Sequence, residues 1–557
     1  MTNKSMAAGP QRCDCLTNSN ETRQGKRGSD RKQEVDRFGY YQMIMFAIIS
    51  LPLFLSAGFT LAYVFTAGEV KYRCAVPECE NPLNTKFNEF WVPDSVPDVS
   101  EMSKCIRYVV QNHTGACTNQ TFTNSTQKCD SWIYDPSENT VLSEWDLTCD
   151  TNRWKLTLVG TINNVGQFVG LIFRPLIFRF ATFRYGRRTI LTLTTFLSGI
   201  SGLIHSFSVN YWMFLAFEFI DATVAAGIYS AGFILGMEMA GVKGRVLAST
   251  IICCMFAVGE MLLGLIAMWL RSWRMVLRMV YGPALLAILL PVLIPESVSH
   301  WSVQRFEHGE DREGRINFQG SPRENTRTEQ LVQAEKKSPA MQVLNSSVML
   351  TRLLACSFCW LTNTFVYYGL SLNSVAFAGD KYVNFILVAI VEIPAYFLTW
   401  FLTDYVGRKH FALHPFCIIC LKMERQVSID KESIAGSLSF LPLILYMGGK
   451  WCITMSFSTI YIYTTELFPT NLRHSLLGIC SMTGRMGSIL SPQTPLLVNA
   501  KFYIVLPLIL FGCMALSAGL LSLFFPETLG TKLPDTVWEA ENIGKVQQKQ
   551  ELQDSPS

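Results

Sequence analysis

ELFPTNLR, residues 466 to 473, closes a long apolar run, and 228 positions earlier another apolar run closes in EMAGVKGR, residues 238 to 245. Each places a glutamate seven residues before an arginine, Glu238 before Arg245 and Glu466 before Arg473. Two further elements recur. PES (Pro295, Glu296, Ser297) returns as PET (Pro526, Glu527, Thr528) at an offset of 231, and RYGRR, with Gly186, Arg187 and Arg188, is answered by DYVGRK, with Asp404, Gly407, Arg408 and Lys409, its glycine offset by 221. Three charged signatures at nearly one spacing describe a chain built from two similar halves.

The segments between these signatures are made for lipid. Of 557 residues, 49% are hydrophobic and only 16% charged, and about 20 apolar residues suffice for a helix to cross about 30 Å of hydrocarbon. Twelve spans are expected, near 42–65, 155–178, 189–207, 210–232, 246–270, 275–294, 347–369, 383–402, 410–422, 438–464, 475–498 and 502–525. The ninth, HFALHPFCIICLK, is short for a crossing. Residues 1–41 are polar and basic, which reads as a cytoplasmic tail rather than a cleaved leader. The Lys and Arg clusters after even-numbered spans then lie on the cytoplasmic side. The expected organisation is a tail (1–41), a six-helix half (42–294), a cytoplasmic linker (295–346), a second six-helix half (347–525) and a cytoplasmic tail (526–557).

Between the first two spans, residues 66–153 form a loop of different composition. It carries Cys74, Cys79, Cys105, Cys117, Cys129 and Cys149, with fifteen pairings open, and N-x-S/T sequons at Asn112, Asn119 and Asn124. Disulfides and glycans both belong outside the cell. Cys356 and Cys359 have C-x-x-C spacing without a second pair, which reads as packing.

These residues resemble a known family. PES, PET and G-R-[RK] are similar to the sugar-porter side of the major facilitator superfamily. EWDLTCD (144–150) is similar to the hallmark of the organic cation, anion and zwitterion transporters of the solute carrier family 22 type. RFGYYQ (37–42), YYGLSLN (367–373), VEIPAY (391–396) and ELFPT (466–470) agree with it. The resemblance implies an all-α membrane fold of twelve helices in two halves, a glycosylated outer loop and a plasma-membrane location. It also implies movement of small organic ions by alternating access, without covalent chemistry. The first-half motif departs from the family: RFATFRYGRR has Arg179 and Phe183 where a glycine and an acid are expected.

An ionisable side chain at mid-bilayer costs on the order of 2.5–3.5 kcal/mol by insertion scales, so it faces a partner or a watery cavity. Arg485, in CSMTGRMGSILSP (480–492), Glu392, Glu260, Glu218 and Asp221 are such residues. The resemblance places Glu392 and Arg485 at a central cavity. Glu392 would attract an ammonium group and Arg485 would offer a planar fork to a carboxylate, so the expected substrate is a small cation or zwitterion such as carnitine or β-alanine. The alternative is that Glu392 and Arg485 pair with each other or with Glu260. Trp360, Tyr367, Phe457 and Tyr461 are candidate cavity walls. Glu218 and Asp221 read either as a site for a cation or coupling ion or as partners of Arg174 or Arg179. His205 reads as packing or interfacial.

The repeated signatures, Gly186, Arg187, Arg188, Glu238, Arg245, Glu296, Asp404, Gly407, Arg408, Lys409, Glu466, Arg473 and Glu527, are expected to form a latch at the cytoplasmic helix ends. No cofactor, metal or nucleic-acid partner is called for. The partners are the substrate and the bilayer, with coupling ion and oligomeric state open. The rival classes are an organic cation or anion carrier of different selectivity and a non-transporting receptor or sensor. A membrane enzyme has no Ser/His/Asp set or metal-spaced histidines to support it.

Overall fold

The computed structural model describes residues 40–80, 86–88, 95, 105–110, 117, 121–239, 245–294, 343, 345–376, 379–406, 441–470, 472–498, 506–529, 533–534 and 536–543, with only the helical path given for 174–187. Leu-, Ile-, Phe- and Ala-rich runs form helices throughout, because hydrocarbon offers backbone N–H and C=O groups no partner but each other. The first half contains α1 (Tyr40–Leu61), α2 (Tyr63–Thr66), α3 (Val141–Glu144), α4 (Cys149–His205), α5 (Tyr211–Met239), α6 (Arg245–Leu270), α7 (Trp273–Tyr281), a 3-10 segment (Gly282–Leu289) and α8 (Leu290–Leu293). The second contains α9 (Ser347–Asn373), α10 (Lys381–Val406), α11 (Leu441–Leu467), α12 (Arg473–Leu490) continued by a 3-10 segment (Ser491–Val498), α13 (Leu506–Ser522) and the short α14 (Val537–Glu541).

Among the described residues, seven helical segments are long and apolar enough to cross a membrane. The remaining expected spans fall on described helices of lower hydropathy or shorter length, except the ninth (410–422), which lies outside the described residues. Large apolar side chains such as Trp269, Val292, Leu354 and Phe401 are exposed on the helix surfaces, where a bilayer would cover them.

Two separate spans and a connecting loop are expected over 155–207, but the helical assignment runs unbroken from Cys149 to His205. A straight helix would set Asn163 and His205 about 63 Å apart. Both nonetheless meet the same carboxylate, Asn163 Nδ2 at 2.7 Å and His205 Nδ1 at 3.6 Å from Glu218. The segment therefore folds back between them and makes two passes.

Close approach of α4 and α5 explains a glycine. A Cβ on Gly170 would lie 2.3 Å from the carbonyl oxygen of Thr223. Gly170→Val is expected to force the helices apart and destabilise the protein by about 1–3 kcal/mol. A thermal melt of detergent-solubilised protein followed by size exclusion checks this: a melting temperature equal to wild type would contradict the packing.

The cysteine-rich loop folds as two small antiparallel ribbons. Strand β1 (Tyr72–Cys74) pairs with β4 (Trp132–Tyr134), and β2 (Ile106–Val110) with β3 (Phe122–Lys128). Its cysteines join as Cys74–Cys129, Cys79–Cys117 and Cys105–Cys149. The ion pair Arg107–Glu78, at 2.9 Å, holds the Glu78 carboxyl below the usual carboxylate range.

EWDLTCD is the clamp that fixes this loop to the helices. Glu144 pairs with Arg274 and accepts a 2.7 Å hydrogen bond from the Trp273 indole. Trp145 packs against Trp273 and Phe214, Asp146 accepts from Tyr134 at 2.8 Å, and Cys149 carries the third disulfide. At this end the halves also touch. Lys381 pairs with Glu138, Phe65 stacks on Tyr382 with ring centres 5.4 Å apart, and Gln493 hydrogen-bonds Thr161.

Candidate functional site

Ionisable side chains from both halves converge where α6, α9, α10 and α11 meet. Glu392, on α10, and Lys450, on α11, are fully buried and 2.8 Å apart. The contact is an ionic approach rather than an aligned hydrogen bond, since the same Glu392 oxygen has no well-directed donor. The Tyr367 hydroxyl, on α9, lies 2.8 Å from the other Glu392 oxygen and 3.2 Å from Glu260, on α6 of the first half. Tyr396 adds a 3.3 Å bond to Glu392. Lys450 also donates to Ser371 Oγ at 2.7 Å and sits 3.3 Å from the centre of the Tyr367 ring, a cation–π arrangement. The Tyr367 hydroxyl thus lies between two carboxylates, and one of them, Glu392, pairs with the Lys450 ammonium.

The expected aromatic walls come together. Trp360 and Tyr461 ring centres are 4.4 Å apart, Phe457 and Tyr461 5.4 Å, and Tyr367 and Phe457 5.5 Å. Trp360 is fixed by a 2.9 Å bond from its indole N–H to Thr464. Helix α12 approaches α9 closely enough that Thr364 donates to the Gly484 carbonyl, and this sets the position of the next residue, Arg485.

Arg485 does not meet Glu392 or Glu260, which corrects the direct pairing considered above. Its Nη1 donates to Gln167 Oε1 at 2.7 Å, across the divide between halves. Gln167 Nε2 donates to Asn163 Oδ1 at 2.7 Å, and Asn163 Nδ2 to Glu218 Oε1 at 2.7 Å. Tyr368 lies in the field of both Arg485 and the two glutamates. Glu218 and Asp221 face Asn163, His205, Ser201 and Tyr281. His205 is fully buried, with its ring centre 4.3 Å from that of Phe214 at a tilt of 47°, which is a packing contact.

Lys450 is the residue that sequence reasoning missed. It stands in LPLILYMGGKWCITM, and the rule that singled out Glu392 applies equally to it.

The repeated signatures are only partly described. Arg188 donates to the carbonyls of Pro291 and Ile294 at 3.1 and 3.0 Å, and Arg473 to that of Phe468 at 3.4 Å. Glu466 accepts from Thr528 Oγ1 at 2.7 Å, and Glu527 accepts the backbone N–H groups of Thr528 and Leu529 at 3.0 Å each. These contacts tie helix ends within one half. Glu296, Gly407, Arg408 and Lys409 lie outside the described residues, as do the side chains of Arg174, Arg179, Phe183, Arg187, Glu238, Arg245 and Asp404, while Gly186 lies on the helical path of α4. Asn124 is exposed on β3, whereas Asn112 and Asn119 lie outside the described residues. Cys356 and Cys359 are buried in packing contacts with Thr464 and the Ala518 carbonyl.

A cavity of about 670 Å³ opens elsewhere, between α1, α6 and the 3-10 segment. Leu51, Leu262, Leu286 and Leu289 line it and are exposed, so it is an apolar crevice facing the lipid side.

Residues 107–538 match the family model described as sugar (and other) transporter. The chain is 30% identical over 540 residues to solute carrier family 22 member 21 of Mus musculus, covering 92% of this chain and 93% of that protein. It is 30% identical over 524 residues to organic cation/carnitine transporter 2 of Homo sapiens, covering 90% and 91%. Among solved structures it resembles the inward-open xylose transporter from E. coli, with a TM-score of 0.56, 16% identity and coverage of 88% and 98%. A crystal structure of a D-xylose-proton symporter gives 0.58, 15%, 88% and 100%.

Proposed function

Since this chain belongs to the sugar (and other) transporter family, and within the major facilitator superfamily to solute carrier family 22, we propose that it carries small organic zwitterions, with carnitine and β-alanine as candidates, across the plasma membrane by alternating access. It is a multi-pass membrane transporter and not an enzyme. The observation that carries the substrate reading is the Glu392–Lys450–Glu260 cluster around Tyr367, built from both halves and holding both signs of charge. A substrate ammonium takes the place of Lys450 at the carboxylates, against the wall formed by Trp360, Tyr367, Phe457 and Tyr461. The substrate carboxylate is received by the released Lys450 or by the Arg485 fork.

Relatives named for organic cations and carnitine support a substrate with a cationic group. The positive charges of Lys450 and Arg485 beside the site favour one that is also anionic. Disulfides and the exposed Asn124 support the reading of an outward-facing loop, and twelve spans would then put both termini in the cytoplasm.

Cells expressing the chain are expected to show saturable uptake of labelled carnitine or β-alanine above that of untransfected cells. Entry of tetraethylammonium with exclusion of both zwitterions would overturn the zwitterion assignment and leave a cation carrier. Surface-expressed protein that moves none of the three would favour a receptor.

A further inference from the structure

The first half buries a second group of ionisable side chains that the substrate site does not use. Glu218 and Asp221 are one turn apart on α5, 6% and 2% exposed. Asp221 is closed on both oxygens, by the hydroxyls of Ser201, at 3.0 Å, and Tyr281. Glu218 is not. Asn163 donates to one oxygen, while the other faces Nδ1 of His205 at 3.6 Å, beyond hydrogen-bond range. His205 is 0% exposed and neither of its ring nitrogens has a hydrogen-bond partner.

The other ionisable groups facing this cluster among the described residues are few. Tyr63 from α2 senses Glu218, and Arg485 from α12 reaches it through Gln167 and Asn163. Arg274 and Arg278 from α7 come up to Ser206, and Arg274 is paired with Glu144. A carboxylate this buried without a cation in contact is costly when ionised. An unpartnered imidazole beside it offers a lone pair or an N–H as required.

We infer that Glu218 and His205 form a proton site that couples proton movement to transport, and that Glu218 reports its protonation to Arg485 through Asn163 and Gln167. The inference rests on the transport reading and adds the coupling ion. A proton is favoured over a metal cation by the ligands: Asn163, Ser201 and Tyr281 point hydrogens at the carboxylates, whereas sodium requires a cage of oxygen lone pairs. The chain has one sense. Arg485 donates to Gln167, Gln167 to Asn163 and Asn163 to Glu218, so each bond polarises the next and the ionised Glu218 strengthens the hold on Arg485. A proton leaving water on one face forms an O–H bond on Glu218, or an N–H bond on His205, and returns to water on the other face when the halves exchange access. No electrons move. Protonated Glu218 is a weaker acceptor, so the tie between halves loosens and Arg485 becomes available to a substrate carboxylate.

The test uses the full-length chain in proteoliposomes with the membrane potential clamped and labelled carnitine as probe. Two readouts are taken, exchange at equal pH and net accumulation under an acid-outside gradient of about one pH unit. Wild type is expected to exchange and to accumulate up to about tenfold per coupled proton. Glu218→Gln, isosteric and checked for folding by thermal melting, is expected to exchange but to lose the gradient-driven accumulation. His205→Gln is expected to lower it. Wild-type exchange with accumulation indifferent to the gradient would overturn the proton site while leaving transport intact, as would gradient-driven accumulation that survives in Glu218→Gln. Absence of exchange in folded wild type would overturn the transport reading and this inference together.

Discussion

Glu392→Gln is expected to abolish zwitterion uptake, by a hundredfold or more. The change removes the carboxylate that receives the substrate ammonium and leaves Lys450 buried with no carboxylate in contact among the described residues. Breaking one side of a buried ion pair costs about 3–5 kcal/mol, which converts to a factor of hundreds or more. Part of that loss belongs to folding, and a double substitution separates the two. Glu392→Gln with Lys450→Met removes both charges, so surface expression is expected to recover towards wild type, because apolar replacement of a buried pair is often neutral. Uptake is not expected to recover. Uptake restored in the double variant would assign the pair a purely structural role.

Arg485→Ala is expected to lower zwitterion uptake by about 10- to 150-fold, the worth of a charge-assisted hydrogen bond of about 1.5–3 kcal/mol. Arg485→Lys keeps the charge but loses the planar fork, and only partial recovery is expected. Arg485 has two roles in this account, a substrate fork and a tie to Gln167 of the other half. Gln167→Ala removes the tie alone. If the fork matters, Arg485→Ala penalises a zwitterion more than tetraethylammonium, whereas Gln167→Ala alters both alike. Equal penalties in the two variants for both substrates would reduce Arg485 to a tie. Labelled uptake normalised to surface protein reads all of these.

The architecture was legible because lipid imposes a coarse rule. A crossing needs about 20 apolar residues, and signatures such as EMAGVKGR and ELFPTNLR mark helix ends at one repeated spacing. Glu392 and Arg485 stood out by the same rule, since charge in an apolar run demands a reason. Lys450 obeys that rule too but is less conspicuous, because a single lysine after Gly448 and Gly449 barely lowers the apolar character of its run.

Partner choice was not legible. Arg485 bonds Gln167, 318 positions away, and Glu392 is claimed by Lys450 on another helix. Composition records that a buried charge needs a partner but not which helix brings one within 3 Å. The disulfides repeat this lesson, since six cysteines permit fifteen pairings and only the two-ribbon fold selects Cys74 with Cys129. EWDLTCD carried the family likeness, yet its physical task, clamping the outer loop through Glu144 to Arg274 and Trp273, emerges only when α3 and α7 are side by side.

The central claim is that two halves alternate access to one buried site for a substrate bearing both charges. Counterflow tests it most directly. Proteoliposomes holding the full-length protein are loaded with unlabelled carnitine or β-alanine, diluted into a trace of the same labelled compound, and sampled over time. The account predicts a transient overshoot of label inside, present in wild type and absent in Glu392→Gln. Folded wild-type protein that gives no overshoot with either zwitterion would contradict it.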